Sequence, residues 1–314
     1  MPATADAATF SIGASGKTMN GFLPPSSSET FLTATSAAAR WIAIPVRAEP
    51  TKDSRLTRGC RTSAAPTSAL PDRIVSTPGG RTSLAISADV APEALDGWRV
   101  PAQPTGLGAQ VTDTDEQAVA AIQRFLSYMP SHHGEAPPLA EVPAGSEDGA
   151  DRLPELLPKT RQQVYDVRRV LDAICDAGSV FELKARFGRS IVTALSRVDG
   201  RTVGFIANNP LVKGGAIDPD ACDKATSFLV LCDSFNIPIV LLVDQPGFLV
   251  GIQGEAKRAV GKVINWMNAL SLVSVPLLSV IMRKSYGQAV LNMGGAGNAD
   301  EVAAWTTAEV SFME

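Results

Sequence analysis

Two glycine-rich stretches hold the residue types from which chemistry could be built. They are Asp244-Gln-Pro-Gly-Phe-Leu-Val-Gly251 and Arg283-Lys-Ser-Tyr-Gly-Gln-Ala-Val-Leu-Asn-Met-Gly-Gly295. Each follows a short apolar run that reads as a buried strand, and each leads into a segment of helical character. The start of a helix presents backbone N–H groups without intrahelical acceptors, at the positive end of the helix dipole. Glycine lets a ligand come close to that backbone. Such a turn can stabilise an anion, or an oxyanion that develops during a reaction. One turn alone is more often a plain connection than a site. Two in successive β-α units carry more, because neighbouring parallel strands bring their C-terminal ends to one edge of a sheet.

The remaining chemically able residues are sparse. Asp244 is a candidate general base or a turn acceptor. Arg283-Lys284 could attract a phosphate or carboxylate, or could be a solvated strand end. Gly13-Ala-Ser-Gly-Lys-Thr18 resembles the end of a phosphate-binding loop, but Ser11 stands where that loop needs glycine. The two histidines, His132 and His133, are adjacent in a polar stretch. No Ser-His-Asp or Cys-His set is therefore available to the regular part of the chain that follows. The four cysteines, Cys60, Cys175, Cys222 and Cys232, show no C-x-x-C spacing, so no bound metal is expected. Cys175, Cys222 and Cys232 fall in apolar helical patterns and read as small buried hydrophobes in a reducing, cytoplasmic setting. Chemistry in this chain would then rest on backbone amides and on a cofactor's own reactivity.

Those two turns need elements to position them. Val167, Val170, Leu171, Ile174 and Cys175 mark one helical face, with Gly178 as its C-cap. Ile191–Val198 has strand character, Asp199-Gly200 is a hairpin signal, and Thr202–Ala207 returns beside it. Pro219–Phe235 predicts an amphipathic helix with Ala221, Ala225, Phe228, Leu229, Cys232 and Phe235 on one side. Ile237–Val243 and Pro276–Met282 predict buried strands. Between them Glu255–Leu270 predicts a helix whose inner face is Ala256, Val260, Val263, Ile264, Met267 and Leu270. Ser285–Met293 reads as a third helical segment, and 302–305 and 310–312 as short strands. Apolar strands alternating with amphipathic helices mean parallel β-α-β units and an α/β fold class.

Composition sets the outer bounds. The 314 residues are 45% hydrophobic and 19% charged, enough for a sizeable core. The net charge of −4 disfavours a nucleic-acid partner. No apolar run reaches the roughly 18–20 residues of a membrane span. Residues 1–80 are rich in Ala, Ser, Thr, Pro and Arg, and no periodic pattern persists there. They are expected to be largely disordered or mis-framed, with a targeting segment as another reading. Residues 81–130 recover order, with N-cap candidates at Asp113–Glu116 and Val119, Ile122, Leu126 and Met129 at helical spacing before Pro130. Residues 131–158 read as a proline-rich linker, and 159–314 as the main domain.

Four ordered motifs carry a resemblance. Asp218-Pro-Asp-Ala-Cys-Asp-Lys-Ala-Thr-Ser-Phe, Cys232-Asp-Ser-Phe-Asn-Ile-Pro238, the Asp244–Gly251 turn and Met282-Arg-Lys-Ser-Tyr-Gly-Gln-Ala289 are similar to the C-terminal domain of the carboxyltransferase (beta) subunit of biotin-dependent acyl-CoA carboxylases. Gly97-Trp98 and Thr105-Gly106-Leu107 resemble the end of that family's N-terminal domain. The resemblance implies a crotonase-like (ClpP/crotonase) spiral of ββα units. It implies transfer of a carboxyl group from carboxybiotin, borne on a carrier protein, to the α-carbon of an acetyl- or propionyl-type acyl-CoA.

Carried onto this chain, the family's biotin amide pair falls on Gln288 and Ala289. Gly247, Phe248, Tyr286 and Gly287 line the cofactor side, and the acyl-length position falls on Leu291. The family more often has glycine where Gln288 stands, and propionyl-type enzymes usually carry aspartate where Leu291 stands. Implied partners are a biotin carboxyl carrier, a biotin carboxylase and further carboxyltransferase subunits in an oligomer. The family's acyl-CoA-binding N-terminal domain is not recognisable before residue 94, and its last helices would follow Glu314, so an incomplete subunit is expected. A biotin-dependent acyl-CoA decarboxylase α-subunit and an inactive scaffold subunit are the alternatives.

Overall fold

The computed structural model describes residues 98–158, 160 and 162–312. The expectations for residues 1–80, for Gly13–Thr18 and for the start of the 81–130 segment lie outside the described residues. The elements are α1 (Arg99–Ala102), α2 (Asp115–Leu126), a 3-10 turn (Glu147–Arg152), α3 (Leu153–Leu156), α4 (Arg168–Ile174), β1 (Phe181–Leu183), β2 (Ile191–Val198), β3 (Arg201–Asn208), α5 (Pro219–Ser234), β4 (Ile239–Gln245), α6 (Ile252–Ala256), α7 (Ala259–Leu272), β5 (Leu277–Tyr286), α8 (Ala289–Asn292), β6 (Glu301–Ala304) and β7 (Glu309–Ser311).

The strands form a seven-stranded mixed sheet in the order β1-β2-β3-β4-β5-β6, with β7 also pairing on β5. β1, β2 and β3 are antiparallel, and every pairing from β3 onward is parallel. The hairpin between β2 and β3 turns at Asp199 (φ 52°) and Gly200 (φ 72°), the two left-handed residues that a type I′ turn requires. The carboxylate of Asp176 accepts from both of their amides, at 3.0 and 2.8 Å.

The period-two alternation of the strands sorts the core into two layers. Ile191 and Leu195 of β2, and Ile239, Leu241 and Val243 of β4, face α5 and α7. Val192 and Ala194, with Val240 and Leu242, face α3 and α4 on the opposite side. α5 is capped at its start by Asp218, whose side chain accepts from Ala221 N at 2.8 Å. No helix among the described residues is long and apolar enough to cross a membrane.

The structure departs from the sequence expectations at several points. The 131–158 stretch is folded at its end, where the 3-10 turn and α3 bury Leu153 and Leu157 against the second core layer. Its middle is tied down as well, since Asn236 Nδ2 donates to the carbonyls of His133 and Glu135. α4 ends at Ile174 with Cys175 already extended, so Gly178 is a turn residue rather than a cap.

The helix expected over Glu255–Leu270 is broken at Arg258, which is left-handed at φ 60°. Val263, Trp266 and Leu270 point inward, while Ala256, Val260 and Ile264 are exposed. β5 runs four residues past the expected end, because Asp244 neutralises Arg283 and β7 offers the outgoing residues a partner. Residues 98–130 pack on the same sheet. Arg124 donates to the carbonyls of Gly178 and Val180 at 2.8 Å each, and Tyr128 OH donates to Ser179 O. The apolar stripe of α2 at Val119, Ile122 and Leu126 is nevertheless exposed, and burial begins beyond it, at Tyr128 and Met129.

Candidate active site

Both glycine-rich turns leave the same edge of the sheet, from adjacent parallel strands. β4 and β5 pair regularly from Ile239↔Leu277 to Val243↔Ile281, and the next matched pair is Gln245↔Ser285. Met282, Arg283 and Lys284 therefore stand opposite the single residue Asp244, which makes a bulge on β5. The side chain of Asp244 fills the broken ladder. Its Oδ2 accepts from Arg283 Nε at 2.8 Å, and its Oδ1 accepts from Lys284 N at 3.3 Å. Asp244 N in turn donates to Asn208 Oδ1 at 3.1 Å, at the end of β3.

The ion pair is enclosed, with side-chain exposures of 4% for Arg283 and 0% for Asp244. Arg283 Nη1 donates to Thr160 O and Gln163 O at 3.0 and 2.9 Å, and the guanidinium lies 4.8 Å from the ring centre of Tyr165. Burial and the Asp244 charge push the Tyr165 phenol well above the usual tyrosine range. Arg283-Lys284 is thus neither a solvated strand end nor an open anion site. Arg283 is committed to Asp244, and Lys284 Nζ donates to Gly214 O at 3.3 Å. Asp244 is equally committed, so its role as a general base is not supported by its surroundings.

Past the bulge, the outer neighbour of β5 changes from β6 to β7, with Tyr286 opposite Ser311. Gly287 N donates to Ser311 O at 3.0 Å, and Tyr286 O accepts from Gln245 Nε2 at 3.2 Å. Gly287 then takes φ 63°, a left-handed geometry that a residue with a side chain rarely adopts. α8 begins at once, with Gln288 as an N-cap lacking any side-chain cap bond. Among the described residues, the amides of Gln288 and Ala289 have no backbone acceptor. Ala289 is fully buried and Gln288 is exposed. Leu291 is half-buried on the next turn, and Asn292 Nδ2 ties α8 to α7 through Val263 O at 3.0 Å.

The first turn is held more lightly. Ile217 N donates to Gly247 O at 3.0 Å and Leu249 N donates to Ile217 O at 2.8 Å. Phe248 is half-buried against the main core, while Val250 is 84% exposed. The structure therefore brings Gln288, Ala289, Gly287 and Tyr286 together in one turn, and places Gly247 and Phe248 in the neighbouring one. Sequence reasoning missed Gln245 and Ser311, which hold the peptide before Gly287. It also missed the pairing of Asp244 with Arg283. The available signal for that pair was a charge of opposite sign at the end of each of two successive apolar runs.

Residues 74–314 match the family model of the carboxyl transferase domain. The propionyl-CoA carboxylase carboxyltransferase subunit of Haloferax mediterranei is 38% identical over 226 residues, 72% of this chain and 44% of that protein. The methylmalonyl-CoA decarboxylase subunit alpha of Veillonella parvula is 34% identical over 226 residues, again 72% of this chain and 44% of the relative. A crystal structure of transcarboxylase 12S, a hexamer assembly with hydrolysed methylmalonyl-coenzyme A bound, superposes with a TM-score of 0.68 at 36% identity, covering 72% of this chain and 45% of its own. The mixed α/β fold is thus the crotonase-like one that the motifs implied. This chain spans less than half the length of these relatives. With the matched model covering most of its residues, the chain belongs to the carboxyl transferase domain family.

Proposed function

We propose that this chain supplies the carboxybiotin half of a carboxyltransferase site, which transfers a carboxyl group to the α-carbon of an acyl-CoA such as acetyl-CoA or propionyl-CoA. The observation that carries the reading is the pair of amides at Gln288 and Ala289. They follow a clamped peptide and have no acceptor within the fold among the described residues. The ureido oxygen of biotin is a neutral acceptor that gains negative charge as the carboxyl group leaves. Two fixed N–H donors suit it, because they need no reorganisation when that charge develops. Carboxybiotin, when bound, supplies the activated carboxyl group. The rest falls to this chain. Gln288 N and Ala289 N hold the oxygen, Tyr286 and Gly287 set the direction of both amides, and Gly247 and Phe248 wall the approach from the first turn. Leu291 meets the acyl end, where an apolar side chain favours an apolar acyl group.

The biotin arrives on a carboxyl carrier loaded by a biotin carboxylase, and the acyl-CoA half of the site lies outside the described residues or on another carboxyltransferase subunit. Free biotin titrated into the full chain tests the reading, with hydrogen exchange of the 286–293 segment as the measurement. Biotin should slow exchange at Gln288 and Ala289, and exchange that stays unchanged at saturating biotin refutes the assignment. A second reading, a biotin-dependent acyl-CoA decarboxylase subunit, is favoured by the 34% identity to the Veillonella decarboxylase subunit. Sodium-dependent decarboxylation of an acyl-CoA by a membrane assembly containing the chain would establish it instead.

A further inference from the structure

We infer that Gln245, the residue before Pro246 in the first turn, is the positioning residue for the Gln288–Ala289 amide pair in the second. This inference rests on the carboxybiotin reading for its ligand, but not for its geometry.

The peptide between Tyr286 and Gly287 is gripped at both ends. Its carbonyl accepts from Gln245 Nε2 at 3.2 Å, and its N–H donates to Ser311 O at 3.0 Å. One grip comes from β4 and the other from β7, on opposite flanks of β5. A peptide plane held at both its C=O and its N–H has one orientation left. Gly287, at φ 63°, carries that orientation into the next peptide, whose N–H belongs to Gln288, and the one after belongs to Ala289. The direction of both donors therefore depends on a side chain in the other turn.

Gln245 is committed to this contact at a cost to itself. It is fully buried, and its Oε1 has no hydrogen-bond partner. The nitrogen of this buried amide thus serves the neighbouring turn while its oxygen has no partner among the described residues. Its place at the strand end is fixed in turn by Asp244, whose carboxylate closes the β5 bulge one residue earlier.

The test uses the full chain, with Gln245→Met and Gln245→Glu, and free biotin as the probe. Gln245→Met keeps the length and removes the donor. It should speed amide exchange within 286–293 by about tenfold, leave the β2–β3 hairpin unchanged, and weaken biotin binding by about tenfold. Gln245→Glu can donate to Tyr286 O only while protonated. It should hold 286–293 and bind biotin as the wild type does at low pH, then lose both as the carboxyl ionises, a pH profile absent from the wild type. A general packing defect would not titrate in that way. Wild-type exchange in Gln245→Met, or a Gln245→Glu profile without pH dependence, overturns the inference. Biotin that fails to bind even the wild type sinks the carboxybiotin reading instead. The clamp is then judged by exchange alone.

Discussion

The turn after β5 and the turn after β4 leave the same sheet edge, yet they are built in opposite ways. The β5 turn is enclosed: Tyr286, Ala289, Asn292 and Met293 are all buried, and bonds reach it from β4, β7 and α7. The β4 turn projects outward. Val250 and Ile252 are 84% and 90% exposed, and Gly247 O and Leu249 N bond the backbone of Ile217. Amides that must meet a developing charge benefit from a rigid frame, since any reorganisation would raise the barrier. A turn that meets a second molecule benefits from an open apolar lip. Under the proposed function, the contrast would put chemistry on the β5 turn and approach on the β4 turn.

The largest effect should come from Asp244→Ala, which strips the rigid turn of its foundation. Removing one partner leaves Arg283 buried and uncompensated, and such losses cost about 3–5 kcal/mol. Urea unfolding measures it, and a loss below 1 kcal/mol would show that the enclosed turn does not depend on the ion pair.

Ala289→Pro should be next in energy and first in activity. It deletes one donor and biases Gln288 away from its helical geometry, while proline itself is tolerated at the first helical position. Carboxyl transfer should fall by about 10²–10³-fold with the folded state retained. Activity at the wild-type level would remove the amide pair from the mechanism.

Leu291→Asp should change the ratio of kcat/KM between acetyl-CoA and propionyl-CoA by about tenfold, the scale of one altered pocket contact. An unchanged ratio would take Leu291 out of the acyl pocket. The smallest effect belongs to the open turn. Val250→Ser should shift the stability of the chain by no more than about 0.5 kcal/mol in a thermal melt. A larger loss would mean that this turn is covered in solution, and the contrast between the two turns would fail.

Much of this molecule is legible in its sequence. The Ile191–Val198 strand matched residue for residue, and the Asp199-Gly200 turn took the predicted form, because both follow from dihedral preferences of neighbouring residues. The two glycine turns were found for the same reason. Trp266 was missed: it lies between Val263 and Leu270 on the inner side of α7, and the apolar residues Val260 and Ile264, which are exposed, pulled the expected face away from it. Lys224 shows the limit more sharply. It lies on the inner face of α5, fully buried, with Nζ donating to Phe187 O and Ile191 O at 3.1 and 2.8 Å. Burial pulls its pKa down to about 7, and nothing in its local sequence marks it as different from a surface lysine.

By itself, then, the sequence determined the α/β alternation, the order of the strands' apolar runs and the two turns at one edge, since these are written in periods of two and 3.6 residues over short spans. The tertiary structure decided what the charged and amide side chains do. Asp244 and Arg283 are 39 residues apart in the chain, and Gln245 and Tyr286 are 41 apart. Whether such a group is a base, an ion-pair partner or a clamp depends on which neighbour the sheet sets beside it and whether water is excluded there, and no local pattern carries that information.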